Sequence, residues 1–185
     1  MGSAAASVAD ILDEAELSTR AFYRHFDSKD ALLRAMYRRD ADLVAAELRA
    51  ATEAAADPIA ALEAWVEGFL TLFFDPRRVE RAAVMISEGT RRAAGYHEEQ
   101  ERAEAEIVAP LAEVLRRGNA AGVLRSVAPT RDAYAIYAVA TSASGSKRTV
   151  EAGRFDRAAA RAHVARFCWP AVGLAPMPHG PTRKR

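Results

Sequence analysis

Apolar residues recur every three or four positions along almost the whole chain, and the places where that rhythm fails carry helix-ending chemistry. Near the start, Val8, Ile11, Leu12 and Ala15 fall at i, i+3, i+4 and i+7, one stripe on a helix that Ser7 caps and that turns at residues 16–17. Ser18 caps a second helix, on which Phe22 and Phe26 share a face. Arg20 and Arg24, also four apart, take roughly the opposite side, with Tyr23 and His25 on the flanks. Two short helices joined by a tight turn and running into a third are a helix-turn-helix. Apolar anchors inward and arginines outward suit a DNA major groove.

From Ser28 the helical period continues to about residue 53, with Leu32, Leu33, Met36, Leu43, Val44 and Leu48 inward. Asp57-Pro58 is a cap followed by proline at the first helical position. It opens a helix whose apolar face, including Ile59, Leu62, Trp65, Val66, Phe69, Leu70 and Phe73, broadens toward its end. Asp75-Pro76 repeats the signal for a helix carrying Val79, Ala82, Ala83 and Ile86. A long helix then ends near Gly118, with Pro110 expected to kink or break it. Pro129 opens a helix through about Ser142, a polar loop follows, and a last helix covers residues 157–171. The proline-rich tail is expected to be disordered.

The composition, 50% hydrophobic with many alanines and few β-branched residues, favours an all-α fold. The expected organisation is a helix-turn-helix domain at 1–39, a helical domain at 40–172 and the tail at 173–185. Net charge is only +1, and the first forty residues carry slightly more acid than base, so any DNA affinity must come from local placement. The charges do segregate. Asp10, Asp13, Glu14 and Glu16 precede Arg20, Arg24, Lys29, Arg34, Arg38 and Arg39. A single cysteine, Cys168, excludes an intrachain disulfide. No secretory leader or membrane-spanning run is recognisable, so the expected location is cytoplasmic with no membrane partner.

The capping serine, the Leu-Ser of the turn, Phe-Tyr-x-His-Phe, x-Ser-Lys-Asp and Ala-Leu-Leu together resemble the DNA-binding domain of the TetR family of bacterial transcriptional repressors. About thirty residues carry the match; the remainder fits in architecture only. The resemblance implies a ligand-responsive homodimer that binds a palindromic operator and releases it when a small hydrophobic effector enters the C-terminal domain. It also implies pairing of the last two helices with their copies in a four-helix bundle, burying Val164, Phe167 and Trp169. Two departures stand out. Family members begin with a further helix of about twenty residues, and here only MGSAAA precedes Ser7. Without that helix some large apolar side chains face water at about 1.5–3 kcal/mol each, so weak DNA binding is expected. Glu16 stands where the family usually has glycine, which costs about 1–2 kcal/mol if φ is positive. The rival reading is a helical ligand- or partner-binding dimer whose motif is an incomplete remnant.

The candidate DNA-binding residues are Thr19, Arg20, Ala21, Tyr23, Arg24, His25 and Lys29. By resemblance, Tyr23 and Lys29 contact the backbone, where a hydroxyl or ammonium suits phosphate. Thr19, Arg20, Ala21, Arg24 and His25 then lie nearest base edges, and arginine can pair bidentately with guanine. Candidate effector contacts are Trp65, Phe69, Phe73, Ile86, Leu111 and Tyr137, although the same spacing also builds any helical core. Four scattered histidines offer no metal site, and the acidic run Glu98, Glu99, Glu101, Glu104 and Glu106 reads as helix surface. No nucleophile, base and orienting group occur together, and no phosphate-cradling loop follows a strand. The sequence therefore points away from an enzyme and calls for no cofactor.

Overall fold

The computed structural model of the protein describes residues 18–74, 94–144 and 156–175, which fold into helices with no strand among them. They are α1 (Thr19–Tyr23), α2 (Lys29–Ala54), α3 (Pro58–Phe74), α4 (Tyr96–Ala120), α5 (Pro129–Ala143) and α6 (Arg157–Ala171). Their ends follow from capping chemistry. Ser18 Oγ accepts from Ala21 N at 3.2 Å, Ser28 Oγ from Ala31 N at 3.1 Å and Asp156 Oδ1 from Ala159 N at 2.6 Å. Asp57 Oδ1 takes both Ile59 N and Ala60 N at 2.8 Å, with Pro58 at the first helical position. The expected helix carrying Val8 to Ala15, its turn, the helix carrying Val79 to Ile86, most of the polar loop and most of the tail lie outside the described residues.

Pro110 does not break α4. The helix runs through it, although an internal proline removes a donor and costs about 3 kcal/mol. Around it Val108, Leu111, Val114 and Leu115 are all buried, which offsets that cost. Nearby, the Trp65 indole donates to the Ile107 carbonyl at 3.1 Å, satisfying a buried N–H beside the carbonyl of Glu106, whose helical donor the proline removes.

Helix α2 packs on α3 and α4, α4 also on α5, and α6 on α5 and α3. One core joins them. It holds Leu62, Trp65, Val66, Phe69 and Leu70 of α3, the α4 residues just named, Ile136 of α5, and Val164, Cys168 and Trp169 of α6. Gly118 closes the α4–α5 corner: a Cβ there would lie 2.9 Å from Leu124 Cβ, so only glycine lets Leu124 fold back over the helix end. One expectation is corrected. Val164 and Trp169 are 0% and 4% exposed within the single chain, so their burial needs no second subunit. Phe167 is 55% exposed.

Candidate functional site

The N-terminal end of the described chain is built around one ring. Phe22 is buried, with Phe26 tilted against it at 5.7 Å and Tyr23 edge-on at 5.1 Å. The helical turn extends beyond α1, since Arg24 N donates to Arg20 O at 3.2 Å and Phe26 N to Phe22 O at 3.0 Å. This anchoring turns the other side of the segment outward. Thr19, Arg20, Tyr23, Arg24 and His25 are exposed, whereas Ala21 and Lys29 are half-buried. Arg24 Nη2 lies 3.4 Å from His25 Nε2. Two arginines, a tyrosine hydroxyl and an imidazole are thus exposed on one short element. Such a set can pair with phosphates and with purine edges.

Helix α2 carries that element to the rest of the molecule, and its first half is fastened to the start of α4 by polar contacts. Asp30 Oδ2 accepts from Ala94 N at 3.2 Å, and Arg34 Nη1 donates to the Ala94 carbonyl. One turn further, Arg38 grips the Glu99 carboxylate with two nitrogens, Nε at 3.0 Å. Arg102 Nε also reaches Glu99 at 3.3 Å, and its Nη2 meets Asp42 at 2.9 Å. The Arg38 hydrogen bond holds the Glu99 carboxyl below its ordinary range, against the opposing effect of burial and with help from Arg102. The rings of Tyr37 and Tyr96 pack edge-on at 5.4 Å beside this network.

This junction was missed in the sequence. Glu99 belongs to the acidic run read as surface, yet its side chain is 9% exposed. The available signal was its phase: Tyr96, Glu99 and Ala103 fall at i, i+3 and i+7, all inward.

The aromatic candidates do converge. Trp65 and Phe69 stack at 5.1 Å with a 5° interplanar angle, and Phe73 and Tyr137 each meet Phe69 at 5.3 Å. Leu111 is in the same core, fully buried like Trp65, while Phe73 and Tyr137 are half-buried and form its outer edge. Ile86 lies outside the described residues. Burial, with the charge of Glu104, pushes the Tyr137 hydroxyl up to about 12, and burial raises Tyr37 as well. A separate groove of about 600 Å³ lies between α3 and α6, lined by Glu63, Glu67, Arg157 and Arg161 among alanines. Its charges neutralise one another: Arg157 meets Glu67 at 2.9 Å, and Arg161 meets Glu63 at 3.4 Å.

Among the described residues no group of histidine, cysteine and carboxylates could hold a metal, and no helix is long and apolar enough to cross a membrane. Comparison with curated proteins finds no match. Residues 2–36 match the profile of the bacterial regulatory proteins, tetR family. Among solved structures, the chain resembles the reduced form of E. coli NemR with a TM-score of 0.73, at 19% sequence identity over 92% of this chain and 88% of that one. The first residues of the chain thus carry the sequence profile of the bacterial regulatory proteins of the tetR family, and the whole chain shares its fold with NemR.

Proposed function

We propose that the protein is a DNA-binding transcriptional regulator of the tetR family, a repressor that binds a palindromic operator as a homodimer and is released when a small, largely hydrophobic effector enters the helical domain. The observation that carries the reading is the fastening of α2 to α4. The segment bearing Thr19 to His25 is joined to α2 by the short turn that ends at Ser28, and α2 is held to α4 through Asp30, Arg34, Arg38 and Asp42. Helix α4 in turn packs on the aromatic core of α3 and on α5. An effector that favours a different α2–α4 angle therefore moves the recognition segment. In a dimer whose segments sit one helical turn of DNA apart, roughly 34–36 Å, that movement loses both half-sites together.

The dimer surface assigned to α5 and α6 is their outward side, where Tyr134 and Phe167 are exposed and the Arg166 guanidinium lies 4.7 Å above the Phe167 ring. Small residues flank them, including Ala138 and Ala162, which lets helices approach closely. Stable helical dimers commonly bury more than about 2,000 Å². Light scattering at micromolar concentration is expected to give twice the chain's mass, and Phe167→Glu with Tyr134→Glu to give a folded monomer with weakened operator binding. A monomeric parent protein would refute the dimer, and binding undiminished in a monomeric variant would refute its role.

A further inference from the structure

Two rungs of charge join the bodies of α2 and α4. Arg38 on α2 holds the Glu99 carboxylate on α4 through two nitrogens, Glu99 accepts from Arg102 of its own helix at 3.3 Å, and Arg102 returns to Asp42 on α2 at 2.9 Å. Arg38 and Asp42 lie four apart, and Glu99 and Arg102 three apart, so each helix presents one acid and one base on one side. Arg38 and Asp42 are more than half exposed, but the Glu99 side chain that links the two rungs is 9% exposed. Neutralising Glu99 alone leaves two arginines facing one acid, the usual result of removing one member of a buried pair.

The remaining contacts of α2 are of different kinds. Asp30 and Arg34 both reach Ala94, which precedes the first residue of α4, so they fasten a flanking residue rather than the helix itself. Further along, α2 changes to apolar contact. Ala41, Ala45 and Leu48 are buried, and Leu48 comes so close to α3 that a Cβ on Gly68 would lie 3.0 Å from its Cδ2. Close packing there fixes that end of α2, and the charged rungs set the direction of the half leading to the segment from Thr19 to His25. At about 1.5 Å per residue, Arg38 lies about 15 Å from Leu48 and Lys29 about 28 Å, so a shift of about 2 Å at the rungs becomes about 4 Å at the start of α2. One base pair of DNA rises about 3.4 Å. Opening this one contact is therefore enough to misplace a recognition segment by a base pair.

We propose that the set Arg38, Glu99, Arg102 and Asp42 determines which half-site spacing the protein accepts, with Glu99 as the positioning residue. Glu99 reads no base; it acts through Arg38 on the direction of α2. The assignment rests on the dimeric operator reading above and adds to it the source of spacing specificity.

The probe is the duplex that the intact protein enriches from a random library, compared by fluorescence anisotropy at fixed salt with versions carrying one base pair more or one fewer between the half-sites. The parent is expected to prefer the enriched spacing about tenfold. Glu99→Gln is expected to reduce that preference to about twofold, with base preference inside each half-site unchanged. A variant that is merely less stable would instead lose affinity for all three duplexes in proportion. Arg38→Glu alone should also flatten the preference, and Arg38→Glu combined with Glu99→Arg, which keeps opposite charges on both rungs, should restore it. Far-ultraviolet circular dichroism of each variant establishes that it is folded. An unchanged spacing preference in folded Glu99→Gln, a proportional loss on all three duplexes, or no recovery in the charge-reversed pair would overturn the proposal. Failure to enrich an inverted repeat would refute the operator reading and this assignment with it, whereas an enriched repeat whose spacing preference survives in Glu99→Gln would refute this assignment alone.

Discussion

Truncating Phe69 to alanine removes the ring at the centre of the aromatic cluster. Phe69 is 3% exposed and touches Trp65, Phe73 and Tyr137 at centroid separations of 5.1–5.3 Å. Transfer of a phenyl side chain out of water is worth about 1.5–3 kcal/mol, and each ring pair adds about 0.5–1.5 kcal/mol beyond area. Measured phenylalanine truncations in cores cost about 3–5 kcal/mol, cavity included. Close packing on three sides leaves little room for collapse, so about 4 kcal/mol is expected. With a urea slope of about 2 kcal/mol/M, the unfolding midpoint falls by about 2 M. Val127→Ala, at a position 97% exposed, is the control and is expected to move it far less. The cavity left behind is apolar, so benzene should bind the variant and recover about 2.7 kcal/mol at a hundredfold excess over its Kd. A midpoint shift below about 0.5 M, or one matched by Val127→Ala, would refute the view that these rings form the packed core behind the site.

The Glu99 junction gives a pH signature. Because the folded protein depresses the Glu99 pKa, its contribution to stability is present above the ordinary value of 4.5 and is lost as pH falls through the lower folded value. Urea titrations are therefore expected to show the parent more stable than Glu99→Gln at pH 7, with the gap closing in acid; a gap that widened on acidification would contradict the assignment. Burial pushes the Cys168 thiol up to about 11, so at pH 8 a disulfide reagent such as dithionitrobenzoate should label the native protein slowly and the urea-unfolded protein at once. Rapid native labelling would show that Cys168 is not held in the core.

Most of the helical framework is legible in the residues because local chemistry sets it. Asp57-Pro58 and the 157–171 period name helix positions that the folded chain adopts, and the serine cap expected at 18 supplies its hydrogen bond. What pattern alone misreads depends on partners far apart in sequence. Pro110 stops an isolated helix, but the cost is offset by the apolar side chains that α4 buries around it. Glu99 looks like solvated surface until Arg38, sixty-one residues away, is placed against it. Val164 and Trp169 show an apolar face without saying which neighbour covers it, and the neighbours are α3 and α5 of the same chain. In the candidate site, spacing names the aromatic positions. It is silent on Tyr37, whose ring meets that of Tyr96 only because α2 and α4 pack side by side.

The most direct test of the account is selection of bound duplexes from a random DNA library at fixed salt, followed by fluorescence anisotropy on the enriched sequence. The exposed segment from Thr19 to His25 is expected to select an inverted repeat. Arg20→Ala should then relax the choice at one base position, with a cost of about 1–3 kcal/mol against the preferred base. Tyr23→Phe or Lys29→Ala should weaken all sequences alike, and Lys29→Ala should lower the slope of log K against log salt by about 0.9. Failure to enrich any sequence, or a selected site indifferent to replacing both Arg20 and Arg24, would contradict the assignment of this segment as the DNA-reading surface.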